Sequence, residues 1–270
     1  MTNPFYDPKK LIVSRTGEQA YKDYLARTRD EKDSGKRKQK QTQTTTPLNV
    51  PSNINKSDYI VIPNTNIVIS NYELFKQDKL NWEGSHYKLA ENGLWMPNAE
   101  LFMPYFLKVK EAAERKITLF YADSNSVPLG KAQDLWKYLT TNFNSGVWTW
   151  LDDKFIETQH QLYHETGHRV VVDNNGNKIL KANKVSPLEQ CITEDCYVNL
   201  DFNKQGLATT KSSKQEYKQG ENIYFWYPRK DRVARFGANS DWAYLYCNWY
   251  PSDSGRALGV FACAESIPKK

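Results

Sequence analysis

The feature that most limits how this chain can fold is a change of hydrophobic period at Gly146. Apolar residues recur at helical spacing before it and alternate after it. In residues 97–114, Leu101, Tyr105 and Val109 form a stripe that predicts a helix, with Pro104 beginning or kinking it. Residues 129–139 predict another helix, and residues 72–90 have a looser helical period that Asn92-Gly93 stops. Beyond Gly146, residues 147–152 alternate as a strand, and residues 168–180 predict a hairpin about an Asn-Asn-Gly turn. Residues 222–227 and 233–238 predict strands on either side of a Pro-Arg-Lys-Asp turn, and residues 59–70 predict two short strands around Pro-Asn. The polar stretch 199–220 predicts a long surface loop. Helices ahead of many short antiparallel strands predict an α+β domain with two to three helices.

Charge locates a second division. Residues 1–45 hold 11 Lys and Arg against 6 Asp and Glu, whereas the rest of the chain is within one charge of neutral. The run from Asp30 to Thr46 has nothing to bury, so residues 1–46 are expected to be a basic, polar arm that tethers the domain at 47–270. A short helix with Glu18, Tyr21, Tyr24 and Leu25 is expected within that arm. Because the surplus charge belongs to a tether, no nucleic-acid partner is expected. Mean hydropathy is −0.74 and no apolar run approaches the roughly 18 residues of a spanning helix, so no membrane span is expected. The first residues lack a basic segment followed by an apolar one, so a secretory leader is not expected either.

Catalytic motifs are few. His164-Glu-Thr-Gly-His168 matches H-E-x-x-H, which holds zinc when a helix places both imidazoles on one face. Gly167 and the strand formers after it argue instead for a surface hairpin, and a third ligand would have to be His86, His160 or a carboxylate. Cys191, Cys196, Cys247 and Cys263 lack metal-ribbon spacing, and both disulfides and buried free thiols stay open, with Cys247 and Cys263 as candidates on neighbouring strands. The pairs Asp152-Asp153 and Glu194-Asp195 read as solvated turns or caps rather than calcium ligands. No phosphate loop and no Gly-x-Ser-x-Gly elbow occurs. Neither an enzyme nor a metal or cofactor is expected.

The aromatic residues carry the positive signal. Residues 221–263 hold 11 of the 36 Phe, Trp and Tyr, about twice an even share. A strand over 243–248 would place Ala243, Leu245 and Cys247 on a core face and Tyr244, Tyr246 and Asn248 on an exposed one. Tyr and Trp among Asn, Ser, Gly and Arg is the composition of a binding surface, because rigid rings give large contact area at low entropy cost.

The residues Glu221-Asn-Ile-Tyr-Phe-Trp-Tyr-Pro-Arg-Lys-Asp231, Ala234-Arg-Phe236, Pro251-Ser-Asp-Ser254 and Leu258-Gly-Val-Phe-Ala262 then resemble the variable proteins of diversity-generating retroelements, archaeal and archaeal-virus branch. Gly93-Leu-Trp-Met-Pro97, Trp148-Thr-Trp-Leu-Asp152 and Glu194-Asp-Cys-Tyr-Val198 fit the same branch, so the likeness covers about residues 58–265. The resemblance implies a C-type lectin-like fold, related to formylglycine-generating enzymes, with a variable region at about 233–263. Adenine substitution of asparagine codons yields residues such as Tyr, Asp, Ser, Gly, Cys and Arg. It therefore implies that Gly237, Asn239, Asp241, Tyr244, Tyr246, Asn248, Tyr250, Asp253, Gly255 and Arg256 contact ligand, with Trp242 and Trp249 second in rank. The implied partner is a host or partner surface molecule, and the implied place a virion tail or cell surface. Two alternatives stand beside it: a metal- or thiol-dependent enzyme, whether a zinc hydrolase or a formylglycine-generating-type oxidase, and a structural virion protein. The oxidases use a closely spaced cysteine pair, which Cys247 and Cys263 do not form.

Overall fold

In the computed structural model the described residues are 50–52, 54–141, 146–239, 241–255 and 258–265, all within a unit that spans 47–270. The expected arm at 1–46, its helix and Arg256 lie outside the described residues. In chain order the elements are β1 (Tyr59–Val61), β2 (Ile67–Ser70), α1 (Trp82–Glu91), α2 (Ala99–Ala113), α3 (Leu129–Thr140), β3 (Val147–Thr158), β4 (Gln161–Thr166), β5 (Arg169–Val172) and β6 (Lys178–Lys181). They continue with β7 (Lys184–Pro187), β8 (Cys196–Asn199), β9 (Asn222–Trp226), β10 (Arg232–Ala238), β11 (Ala243–Trp249), β12 (Gly259–Val260) and β13 (Cys263–Glu265).

Side-chain caps set where the helices begin. Asn81 accepts a hydrogen bond from the Gly84 amide and starts α1, while Phe75 and Lys79 adopt left-handed backbone angles that no helix over 72–81 can hold. The helix expected over residues 72–90 is thus shortened to its second half. Asn98 caps α2 through the Leu101 amide, and the helix continues through Pro104. Its buried face is Phe102, Met103, Tyr105, Phe106, Val109 and Ala112, so Leu101 lies beside the stripe rather than in it.

Strands dominate what the helices pack against. β7-β4-β3-β10-β11-β9-β8 run side by side in one large sheet, with β12 also paired to β3. β10 is antiparallel to both its neighbours, whereas β11 and β9 are parallel. A second sheet joins β1, β2 and β13, and β5 with β6 forms a separate hairpin around residues 173–177. The period-two pattern buries one face of the large sheet, including Ala234, Phe236, Leu245, Phe225 and Val198, under α2 and α3. On the other face Trp150 and Val233 join a smaller core with Trp82, Leu89, Met96, Val68 and Val260. Thirteen strands in three sheets against three α-helices, among the described residues, correct the expected α+β, C-type lectin-like domain to a sheet-dominated one. Sequence periodicity missed this because the strands β4, β7, β8 and β13 are only three to six residues long.

The stretch expected to be a surface loop is also corrected: Gln205, Gly206, Leu207 and Ala208 are buried. Asn203 Oδ1 accepts from the amides of Gln205 and Leu207 and folds the turn onto the start of α2. Gly206 sits at φ +78°, and a Cβ there would stand 2.2 Å from the Ala99 carbonyl oxygen. The obstacle is backbone at a helix N-terminus and cannot rotate away. Gly206→Ala is therefore expected to destabilise the domain by about 2–3 kcal/mol, combining left-handed strain with overpacking. Urea unfolding of the variant beside the wild type reads this; a loss under about 0.5 kcal/mol would mean the turn does not dock there.

Candidate functional site

Cross-strand register assembles aromatic rings into two rows on the face of the large sheet opposite α2 and α3. Trp148, Gly237, Tyr244, Tyr224 and Tyr197 occupy successive paired positions across β3, β10, β11, β9 and β8. Trp150, Arg235, Tyr246 and Trp226 make the adjacent row. Tyr246 and Trp226 stack with centroids 5.2 Å apart and planes at 17°. Tyr244 packs edge-on to Tyr246 at 4.9 Å and tilted against Trp148 at 5.3 Å, while Tyr197 meets Tyr224 edge-on at 4.9 Å. Such offset and edge contacts hold the rings in fixed orientations.

Gly237 makes the first row possible. A Cβ on it would fall 2.3 Å from a Tyr244 ring carbon and 3.1 Å from Trp148. The rings meet over the space that a side chain would fill. Gly237 is buried and Tyr244 is only 5% exposed, which corrects their expected places on an open, substitution-tolerant surface.

Arg235 is the centre of the second row. Its guanidinium carbon lies 3.3 Å from the Trp249 ring centroid, 4.6 Å from Tyr246 and 4.7 Å from Trp148. It is buried, its Nε has no hydrogen-bond partner, and no carboxylate lies within ion-pair distance among the described residues. Burial lowers its pKa to about 10, against the opposing pull of Tyr246, Tyr244 and Asp253, so it stays a cation at neutral pH. The π faces around it take the place of an anionic partner.

A register shift brings Trp249 into this group. Between Val233 and Arg235 the β11 partner moves from Trp249 to Tyr246, three residues against two. The extra residue returns Trp249 to the face of Tyr246, with which it packs at 5.1 Å, whereas strict alternation would put the two on opposite faces. Trp249 Nε1 then donates to Asp253 Oδ2 at 2.7 Å, fixing the chain beyond the strand.

The rim is polar and open. Trp242 and Tyr250 are exposed at 41% and 58%, and Arg232 stacks on Tyr250 with 3.8 Å to the ring centroid. Asn239 Oδ1 accepts from the amides of Asp241 and Trp242 and holds the β10–β11 turn, where Asp241 is exposed. Tyr246, Asn248, Trp249, Asp253 and Gly255 are half-buried. Sequence reasoning left Tyr197, Tyr224, Trp226, Trp148 and Arg235 out of the site. The alternation of Tyr224 and Trp226 was the available signal for two of them.

The motif residues take other roles. His164 to Thr166 end β4 and Gly167 and His168 follow it, so the H-E-x-x-H segment is not a helix, but both its histidines are buried, which corrects the expected surface hairpin. His164 Nε2 meets Asp153 Oδ1 at 2.7 Å, and His168 Nδ1 meets Asp152 Oδ1 at 2.5 Å. As consecutive residues of β3, Asp152 and Asp153 point to opposite faces and draw the two imidazoles apart. The expectation that this acidic pair is a solvated turn is corrected, since both carboxylates are buried. Asp195 accepts from the Tyr227 amide and pairs with Arg229 at 2.7 Å. The four cysteines are free thiols, and Cys247 and Cys263 sit in different sheets rather than on neighbouring strands. Burial pushes both their thiols up, away from the thiolate that nucleophilic or redox chemistry needs.

No helix among the described residues is long and apolar enough to cross a membrane. Comparison of the chain with protein-family models, curated proteins and solved structures finds no match.

Proposed function

We propose that this is a non-enzymatic ligand-binding protein that presents a variable aromatic and polar surface, diversified by a retroelement, to a host or partner surface molecule. One observation carries the reading: within 233–263 most of the positions that adenine mutagenesis would vary reach solvent. Asn239, Asp241, Tyr246, Asn248, Tyr250, Asp253 and Gly255 do so, against the buried Gly237 and Tyr244, whereas Val233, Ala234, Phe236, Ala238, Ala243, Leu245, Cys247 and Val260 to Cys263 are buried. Exposed positions tolerate exchange within about 0.5 kcal/mol, so exchange costs least at the exposed Asp241 and Tyr250. Below them lies a rigid platform of Trp226, Tyr224, Trp148 and Arg235 that does not vary in this scheme. Trp242 and Tyr250 supply the open stacking surfaces, and Asn248 and Asp241 supply adaptable hydrogen bonds.

Sequencing the DNA around the coding region tests the diversification. The expected result is an adjacent reverse transcriptase and a near-copy of the segment for residues 233–263 that differs from it only at adenines. A locus with neither overturns the reading.

A further inference from the structure

A second site lies in the smaller core, two residues along β3 from Trp150 of the second aromatic row. α1 is pinned to β3 where Trp82 Nε1 donates to the Leu151 carbonyl at 2.8 Å, and one turn later the helix delivers His86 to the neighbouring Asp152. Gly167, at φ +68°, ends β4 and turns the chain so that His168 reaches the same carboxylate. Its amide donates to Asp152 Oδ2 at 2.9 Å while its ring meets Oδ1. The Trp82 ring stands edge-on to both imidazoles, with centroids 4.5 and 4.9 Å away. His86, Asp152 and His168 are all at most 5% exposed.

His86 Nε2 is the unexplained atom. It is buried and has no hydrogen-bond partner, although Asp152 Oδ1 is only 3.4 Å away. An orphaned ring nitrogen in a dry core costs about 1–3 kcal/mol unless something binds it. The three donor atoms lie within 4.8 Å of one another. Two imidazoles and a carboxylate are a borderline donor set of the kind zinc takes. Tetrahedral bonds of about 2.0–2.2 Å place donors roughly 3.2–3.6 Å apart, so the His86–Asp152 spacing already fits and His168 needs to open by about 1 Å.

We propose that His86, Asp152 and His168 form a structural site for a zinc-class divalent ion that ties α1 to β3 and to the end of β4. The ion replaces the proton that His168 Nδ1 and Asp152 Oδ1 share, and that proton leaves to solvent. Arg169, which donates to the His168 carbonyl at 3.0 Å, opposes the ion's charge, while Asp152 and Asp153 favour it. With its ligands buried, the site offers a substrate no way in, which makes the role structural.

Elemental analysis of the full chain, stripped with chelator and dialysed against zinc, tests the assignment. One equivalent of zinc is expected in the wild type and in His160→Ala, whose exposed imidazole is the control, and under about a tenth of an equivalent in His86→Ala. Zinc is expected to raise the Tm of the wild type by several degrees. Wild type without zinc, or His86→Ala with a full equivalent, overturns the site. Should His86→Ala fail to fold, cobalt substitution of the wild type decides. Tetrahedral bands without thiolate charge transfer support the site, and a thiolate band, which would place the ion on cysteines, overturns it.

Discussion

Asp153→Ala is expected to cost the domain about 3–5 kcal/mol, enough to lower Tm by about 10 °C or more. The carboxylate is fully buried in β3, and each of its oxygens has a separate duty. Oδ2 accepts the Ala99 amide at 2.8 Å, satisfying a free N–H at the start of α2, while Oδ1 holds His164 Nε2 at 2.7 Å. Truncation leaves both donors unpaired in a core sealed by Phe155, which stacks on His164 at 5.2 Å. Asp153→Asn keeps one acceptor and the volume, and is expected to lose only about 1–2 kcal/mol. Urea titration and thermal melts of the two variants check the order. Equal losses would mean that packing volume, not hydrogen bonding, holds the start of α2.

Asp153 also shows where a sequence stops being legible. Two adjacent carboxylates read as a turn because isolated carboxylates rarely enter a core. Within a strand buried on both faces, the same dipeptide instead anchors one partner on each side, and the partners His164 and His168 are more than ten residues away. Local pattern was sufficient for α3, for the β5–β6 hairpin and for the alternation of Ala243, Leu245 and Cys247, since each depends on neighbours in the chain. It was insufficient for α1, where caps and two left-handed residues override the period. For the candidate site, the exposed Trp242 and Tyr250 were readable from composition. The burial of Tyr244 was not, because it depends on Gly237, its direct partner on the neighbouring strand, and on Trp148 beyond it. The place of Trp249 depends on a register shift, which alternation by definition does not contain.

Arg235→Ala is expected to destabilise the domain by about 3–4 kcal/mol and to loosen the aromatic platform as it does so. Two opposing effects set that size. Removing the side chain empties a buried space between Trp148, Tyr246 and Trp249, for which core truncations of this size cost about 2–5 kcal/mol. It also ends three desolvated cation–π contacts worth about 0.5–2 kcal/mol each. Against this, a buried charge without a carboxylate partner is relieved, which returns part of the loss. Arg235→Met separates the two effects, because it fills most of the space and carries no charge. It is expected to lie within about 1 kcal/mol of the wild type in stability. Denaturant unfolding followed by tryptophan fluorescence checks both, since two of the three rings around the guanidinium are indoles. If Ala and Met lose the same 3–4 kcal/mol, the cation itself holds the rings; if neither loses more than about 1 kcal/mol, the platform is held by ring-to-ring contact alone. The expected middle outcome makes Arg235 a filler that positions Tyr246 and Trp249. Under the proposed function, ligand contact would then fall to the exposed Trp242 and Tyr250 and to the half-buried Asn248.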